Sequence, residues 1–476
     1  MSRIDVTLNP YNAVGNGTNE TSIIQSALNT QADEVFLPAG LTFGVTGLQL
    51  YAGQSLIIEG KILKLSGASP IVYLASGSSV IGGELDGNGV DSAGIVGVDC
   101  SNVTIKDVYM HNVLQKGICS YKTSGSPTNW KVYNNRLIDI KLQSITLEYT
   151  TNSRIINNNI NTDNSEYSSS DLHHGIQFWG GDAQNLSDSI SISHLVISGN
   201  IVKNAKGGIW GSLGKFINVF GNTVEDCTDC GIDFERCENF TCNSNIISNC
   251  ANGNIAIAYG CKHGSVTGNT CSFTSGAGST LYAYNSTTIA LPPNQYITIN
   301  GNSFKTYSGI AVNVQACNNK GLIDSIISNN VIGTSGTTEA IHIEECTKLS
   351  IIGNQIITNG SPIAIYLYGV QISTVSNNVI SGNETNTTLT NGAAITLRYR
   401  SSTWPCRSIK VIGNIIDGHG FSVYDLCSSD PATSDCFISG NFLVNIYRPS
   451  STAYTGVISN NVHTYSSNVA VSASTY

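Results

Sequence analysis

Asp233 and Glu235 stand two residues apart in the segment Gly231-Ile232-Asp233-Phe234-Glu235-Arg236-Cys237. If this segment is a strand with Ile232 and Phe234 turned inward, both carboxylates turn outward on one face. Like charges so close oppose each other's ionisation, so one carboxyl can keep its proton near neutral pH. Glycosidic cleavage needs such a pair, one group as acid and the other as base or nucleophile. The α-carbons would lie about 6 to 7 Å apart. Depending on side-chain direction, that suits a retaining or an inverting arrangement. The bland role of outward acids is solubility, with Arg236 neutralising Glu235.

The neighbouring segments strengthen the chemical reading. Earlier in the chain stand Ile209-Trp210-Gly211-Ser212, Ile176-Gln177-Phe178-Trp179 and Ile145-Thr146-Leu147-Glu148. Stacked in register, they predict one outward column of Gln177, Trp210 and Asp233. A second column holds Glu148, Trp179, Ser212 and Glu235. Exposed Trp beside acids suits sugar stacking, and Glu148 is a candidate for a more distant second carboxylate. Asp171, His173, His174 and Asp182 are placed as a wall of the same groove, and Arg236 is a further substrate-binding candidate. Paired His with nearby Asp can also hold a cation, but no metal-ligand spacing is fixed, so neither metal nor cofactor is assigned. A secondary candidate is His342-Ile343-Glu344, with Tyr366 and Arg398 in neighbouring columns. A His base beside a cation would fit β-elimination of a uronate polymer.

The elements that position these groups are set by a repeat. The phrase ending in Asn recurs at Asn200, Asn222, Asn245, Asn269, Asn302, Asn330, Asn354, Asn378, Asn414, Asn441 and Asn461. Its base period is 22 to 24 residues, with longer steps such as 33 and 36 where loops are inserted. Such a period marks a solenoid. Each period holds short apolar phrases alternating with period two and no helical stripe. The expected fold is all-β, a right-handed single-stranded parallel β-helix with an N-terminal capping helix. The Asn is expected in the turn between two strands, in a left-handed conformation, bonding its neighbours along the axis. A leucine-rich horseshoe fits poorly, because the Leu-x-x-Leu-x-Leu frame is missing.

Composition narrows the partners. Net charge is −9 with no basic run, which argues against nucleic acid. No apolar run is long enough for membrane insertion, and the opening Met-Ser-Arg-Ile-Asp-Val has no apolar signal segment. The 14 Cys include the spacing Cys227-x-x-Cys230. No partner pair matches it, and Cys recurs with the coil, so a ladder of buried thiols is expected, with disulfides open to a protein that matures outside the cell.

Near the N-terminus, Thr18 or Asn19 can cap a helix over Ser22 to Leu28, with Ile23, Ile24, Ala27 and Leu28 on one side. Ala13-Val14-Gly15, Gly17, Glu20-Thr21, Ile24-Gln25 and Ala27, followed by Val35, Pro38 and Gly40, resemble the opening signature of the pectate-lyase-like superfamily, most of all phage tailspikes. Asn16 and Asn19 depart from its usual Asp residues. The resemblance implies a homotrimeric, carbohydrate-directed β-helix that cleaves bacterial capsule, exopolysaccharide or O-antigen. It also implies a place in the virion, contact with other phage tail proteins, and extracellular action at the host surface. A secreted bacterial enzyme is the alternative setting. The resemblance transfers no catalytic residue, so Asp233 and Glu235 rest on pattern alone. The expected organisation is a cap segment over residues 1–50, a β-helix of about 14 coils over 51–464 and a tail over 465–476. Endo-acting hydrolysis by paired carboxylates leads the functional readings, ahead of a lyase acting by β-elimination and a non-enzymatic carbohydrate-binding adhesin.

Overall fold

A computed structural model describes residues 2–162, 173–315, 321–336, 338–361, 363–383, 393–401, 404, 406–419, 423–425, 436–443, 446–447, 457–459 and 462–463. The chain divides into two compact units, Met1–Thr241 and Cys242–Tyr476. Each is a right-handed parallel β-helix whose coils contribute one strand to each of three sheets. Among the described residues, eight strands of each unit belong to the third sheet.

One coil of the first unit shows the logic. It runs through Ile192–Ser198, Ile201–Lys203 and Ile209–Ser212, and each strand pairs in parallel with its counterpart one coil on. Period-two alternation puts Ile209 inside and Trp210 outside. In the third sheet Ile145, Leu147, Ile176, Phe178, Ile209, Ile232 and Phe234 are all fully buried. Burying each such side chain contributes about 1.5–3 kcal/mol. Gly211 breaks the apolar row for a steric reason: a Cβ there would lie 2.2 Å from the Phe178 ring. The missing side chain is the space that Phe178 fills.

The recurring Asn forms a buried ladder. In the first unit, the backbone N and Nδ2 of Asn158 both donate to Asn200 Oδ1 at 2.9 Å. Asn200 in turn donates to Asn222 Oδ1 at 3.0 and 2.9 Å. The second unit repeats this from Asn245 to Asn441. The left-handed conformation, however, belongs to the preceding residue, not to the ladder Asn. Gly199, Gly221, Asn329, Gly353 and Asn377 have φ of 65°, 63°, 55°, 68° and 54°. The preceding residue makes the corner, and the Asn that follows turns its amide inward. This explains why Gly, Asn or Ser precedes each ladder Asn.

A second left-handed corner lies just past the third-sheet strand. Tyr149, Leu213 and Arg236 have φ of 51°, 50° and 51°, and they follow Glu148, Ser212 and Glu235 directly. None is a residue type that signals this conformation in sequence.

The helix spans Thr21–Leu28 and buries Ile24, Ala27 and Leu28. Its N-cap is Glu20, which makes no side-chain cap bond. Neither Thr18 nor Asn19 caps it as expected. Glu20 is drawn away because its buried carboxylate accepts the N–H groups of Val14 and Gly15. Asn19 Oδ1 instead accepts from Thr21 N at 3.1 Å. Gln25 ties the helix to the strand Leu48–Gln49 through both the N–H and the carbonyl of Gln49.

The twelve Cys among the described residues are buried thiols, Cys227 and Cys230 included. Cys317 and Cys427 lie outside the described residues.

Candidate active site

Four adjacent third-sheet strands of the first unit carry the site: Ile145–Glu148, Ile176–Trp179, Ile209–Ser212 and Cys230–Glu235. Their register aligns Thr146, Gln177, Trp210 and Asp233 in one column. It aligns Glu148, Trp179, Ser212 and Glu235 in the next. Both columns match those read from the repeat.

The aromatic groups form a continuous row. The Trp179 and Trp210 ring centroids are 5.3 Å apart with planes tilted 31°. His174 stacks on Trp210 at 5.0 Å and 17°. Gly207 permits this approach, since a Cβ there would meet His174 Nδ1 at 2.5 Å. Burial pushes the His174 imidazole down to about 4, outweighing the nearby Asp229 charge, so it is neutral at pH 7. His173 is buried alongside. Gln177 is buried too and accepts a long 3.4 Å bond from the Thr146 hydroxyl. It belongs to the floor of the platform.

Glu235 is the chemically distinctive group. Burial pushes its carboxyl up to about 7, and the negative charges of Asp182 and Asp229 add to the rise. The Trp210 indole N–H donates to it and acts in the opposite sense. Asp233 is buried, 4% exposed, on the same strand two residues away. The strand alternation thus places a carboxyl that keeps its proton near neutral pH beside a second carboxyl and two Trp rings.

Arg236 does not neutralise Glu235. Its left-handed backbone swings the side chain to the loop around Asn185, where Nη1 donates to Asn185 O at 2.8 Å and Ala183 O at 3.3 Å. That loop is also closed by Asp188, which accepts from Asp182 N and from Asn185 Nδ2, both at 2.9 Å. Arg236 therefore braces the loop that holds Asp182. Asp171 lies outside the described residues.

Glu148 stands in the predicted column but is engaged elsewhere. Its carboxylate is paired with Lys116 Nζ at 2.8 Å. It stands three strand spacings from Glu235, about 14 Å, beyond the ~6.5–9.5 Å that an inverting pair uses. Sequence placed it in the right column but could not supply Lys116 or the distance along the axis.

In the second unit, His342, Tyr366 and Thr396 form one column and Glu344, Tyr368 and Arg398 the next. His342 sits between two carboxylates, with Nε2 3.0 Å from Glu344 and Nδ1 3.9 Å from Glu339. Burial alone would lower its pKa, but the bonds and charges of Glu339 and Glu344 raise it to about 9. That shift favours the imidazolium at neutral pH, the form that pairs with Glu339 and Glu344. Arg398 Nη1 donates to the Tyr366 hydroxyl at 3.1 Å. Arg400, missed in the sequence, bridges Glu344 and Glu345.

A third polar cluster was also missed. Lys61, Glu84 and Tyr109 share a column of the second sheet, with Asp86 and His111 in the next. The ligand atoms of Glu84, Asp86 and His111 all lie within 4.8 Å of one another, close enough to hold a metal ion. The Lys61 ammonium already bridges the two carboxylates at 2.9 and 2.8 Å. A cleft of ≈ 480 Å³ opens beside Lys61, Glu84 and Tyr109. There the Lys61 ammonium holds the Glu84 carboxyl below its ordinary range, the reverse of Glu235 on the Trp platform.

Fold and site together define a parallel β-helix that presents an aromatic and carboxylate platform on one sheet. The model of the right-handed beta helix region matches residues 23–160 and 160–291, and the chain belongs to that family. Similar solved structures include tailspike proteins of Escherichia coli bacteriophage HK620. A mutant in complex with a hexasaccharide has a TM-score of 0.58 and 14% identity, covering 86% of this chain and 80% of that one. A mutant in complex with a pentasaccharide has a TM-score of 0.57, again at 14% identity and the same coverage. A double mutant has a TM-score of 0.60 at 13% identity, also over 86% and 80% of the two chains. At these identities the likeness is one of fold. No curated protein matches the chain. No helix among the described residues is long and apolar enough to cross a membrane.

Proposed function

We propose that this protein is a phage tailspike that binds a bacterial surface polysaccharide and hydrolyses it internally at Asp233 and Glu235. One observation carries the reading: Glu235 holds its proton up to about pH 7 while bonded to Trp210 in an aromatic row. Glu235 is the general acid that protonates the leaving glycosidic oxygen. Asp233 is the carboxylate partner, as base or nucleophile. Trp179 and Trp210 stack sugar rings and hold the scissile bond against the acid. The oligosaccharides bound by tailspikes of this fold support the substrate class. A homotrimer in the virion, with other tail proteins as neighbours and action outside the cell, belongs to the same proposal.

The test is depolymerisation of host capsule or O-antigen, followed by new reducing ends. Glu235→Gln should lower the rate by at least about 100-fold and leave oligosaccharide binding intact. Undiminished cleavage by Glu235→Gln and Asp233→Asn would refute the site. Unsaturated, ultraviolet-absorbing ends would replace hydrolysis by β-elimination. Binding without shortening by the parent protein would make it an adhesin.

A further inference from the structure

The second sheet of the first unit holds a cluster of charged groups that the proposed hydrolysis does not use. Three successive strands build it: Lys61–Lys64, Glu84–Asp86 and Tyr109–Val113. Alternation turns Ile62, Leu85 and Met110 into the core, where each is fully buried, and leaves Lys61, Glu84, Asp86 and His111 on the outer face. Parallel register sets Glu84 beside Lys61 and Asp86 beside His111.

Three features make this a place for a metal ion. The first is the donor set. One imidazole and two carboxylates offer ligand atoms that all lie within 4.8 Å of one another. Zinc bonds to such atoms are ~2.0–2.2 Å long, so small side-chain movements close the three on one ion. Second, the ligands are already aimed. Asp86 Oδ1 accepts from Asn88 N at 2.8 Å and from Asn112 Nδ2 at 3.2 Å, which leaves Oδ2 for a cation. His111 Nδ1 is held by the Asn112 amide at 2.8 Å, and Nε2 lies 3.0 Å from Glu84. Outer partners of this kind orient metal ligands. Third, there is a way in and room for what must leave. The Lys61 ammonium fills the centre, 2.9 Å from Glu84 and 2.8 Å from Asp86. The Lys61 and Glu84 side chains are 29% and 34% exposed, and both border the ≈ 480 Å³ cleft, so an ion from solvent reaches them. Gly40, Gly60 and Gly83 line that cleft without side chains to obstruct it, and Glu59 offers a displaced ammonium another carboxylate there.

We infer that Glu84, Asp86 and His111 form a binding site for a divalent transition metal of the zinc class, with the Lys61 ammonium as its built-in stand-in: the ion enters from the cleft and Lys61 swings out into it. A divalent ion meets the two carboxylates with twice the charge of the ammonium. The imidazole selects zinc-like ions over Ca²⁺ and Mg²⁺, which prefer oxygen ligands. Water from the cleft completes the shell. The bound ion joins the strands Glu84–Asp86 and Tyr109–Val113 and so staples two successive coils.

The test is calorimetric titration of the chelator-stripped full chain with Zn²⁺, with Ca²⁺ and Mg²⁺ as comparisons. One Zn²⁺ should bind per chain, and the melting temperature should rise with its concentration. His111→Gln and Glu84→Gln should each weaken binding at least about ten-fold, a loss that even an outer partner brings. Lys61→Met should act in the opposite sense. Without metal it should melt below the parent, because two carboxylates lose their counter-charge. Zn²⁺ should bind it several-fold more tightly than the parent and restore the melting temperature. Binding undiminished by His111→Gln would overturn the site, because the ion would then sit on other groups such as the thiols. An affinity unchanged by Lys61→Met, or an equal affinity for Ca²⁺, would overturn it as well. So would absence of binding in the parent and in Lys61→Met alike, which would make Lys61 a fixed counter-ion. The readout is metal binding, so hydrolysis at Glu235 stands or falls separately.

Discussion

The indole N–H of Trp210 donates to the carboxyl of Glu235, joining the aromatic row to an acid whose proton is held near neutrality. Burial raises that carboxyl from 4.5 to about 7. As a general acid it works when protonated, so cleavage should fall as pH rises through about 7. The same shift has a stability sign. The folded state holds this proton more tightly than the unfolded chain does, so the contribution is full below about 4.5 and is lost as pH rises through about 7. Rate–pH profiles and denaturation at several pH values check the two effects separately. A cleavage rate unchanged from pH 6 to 8, about one unit either side of that midpoint, would exclude Glu235 as the acid.

Two substitutions should move that midpoint in opposite directions. Trp210→Phe removes the donor that favours the ionised carboxylate, so the acid limb should shift to higher pH. Asp182→Asn removes a negative charge that disfavours ionisation, so it should shift to lower pH. Trp210→Phe should also raise KM several-fold, since an aromatic contact is worth about 0.5–1.5 kcal/mol. No shift in either variant would mean that neither group acts on Glu235, and parallel shifts would mean that one of them acts with the opposite sign.

His342 offers an independent titration. Its imidazolium, held by Glu339 and Glu344, should lose its proton near pH 9 instead of 6.5. The resulting stability is fully present below about 6.5 and disappears as pH rises through about 9. NMR of the ring protons reads this directly. Glu339→Gln together with Glu344→Gln should return the titration towards the ordinary range. A native midpoint near 6.5 would remove the imidazolium.

The Asn ladder predicts a large effect from a small change. Asn354 donates to Ile327 O and Asn378 Oδ1 and accepts from Asn330 through both its N–H and its amide. Asn354→Leu leaves buried polar groups unsatisfied at about 1–3 kcal/mol each. The urea midpoint should drop sharply. The corner residue Asn329, with φ 55°, should behave differently: Asn329→Gly should stay within about 1 kcal/mol of the parent. Equal effects at both positions would contradict the division of labour between corner and ladder.

The fold was legible because the repeat acts as a ruler. Counting from Asn200 and Asn222 placed Trp210 opposite Asp233 and Trp179 two strands from Glu235, and parallel pairing preserved both relations. What the ruler could not give is anything that reaches across the coil phase. Lys116 captures Glu148, Arg236 turns to Asn185, and Arg400 bridges Glu344 and Glu345. These depend on loop paths and on left-handed corners at Tyr, Leu and Arg, which carry no sequence mark. The cap failed similarly, because the Glu20 carboxylate has a stronger use for backbone N–H groups elsewhere.

The ladder has an evolutionary meaning as well as a mechanical one. Successive rungs are 22 residues apart at Asn200–Asn222 and 42 apart at Asn158–Asn200, yet the amide bond is 2.9 Å in both. The 36 residues from Asn378 to Asn414 close on the same 2.9 Å. Excursion length is thus uncoupled from rung geometry, and doubling a loop costs only about 0.6 kcal/mol in closure entropy. Such a scaffold can trade one set of recognition loops for another without re-solving its folding problem, so new sugar specificities can be explored on an unchanging spine.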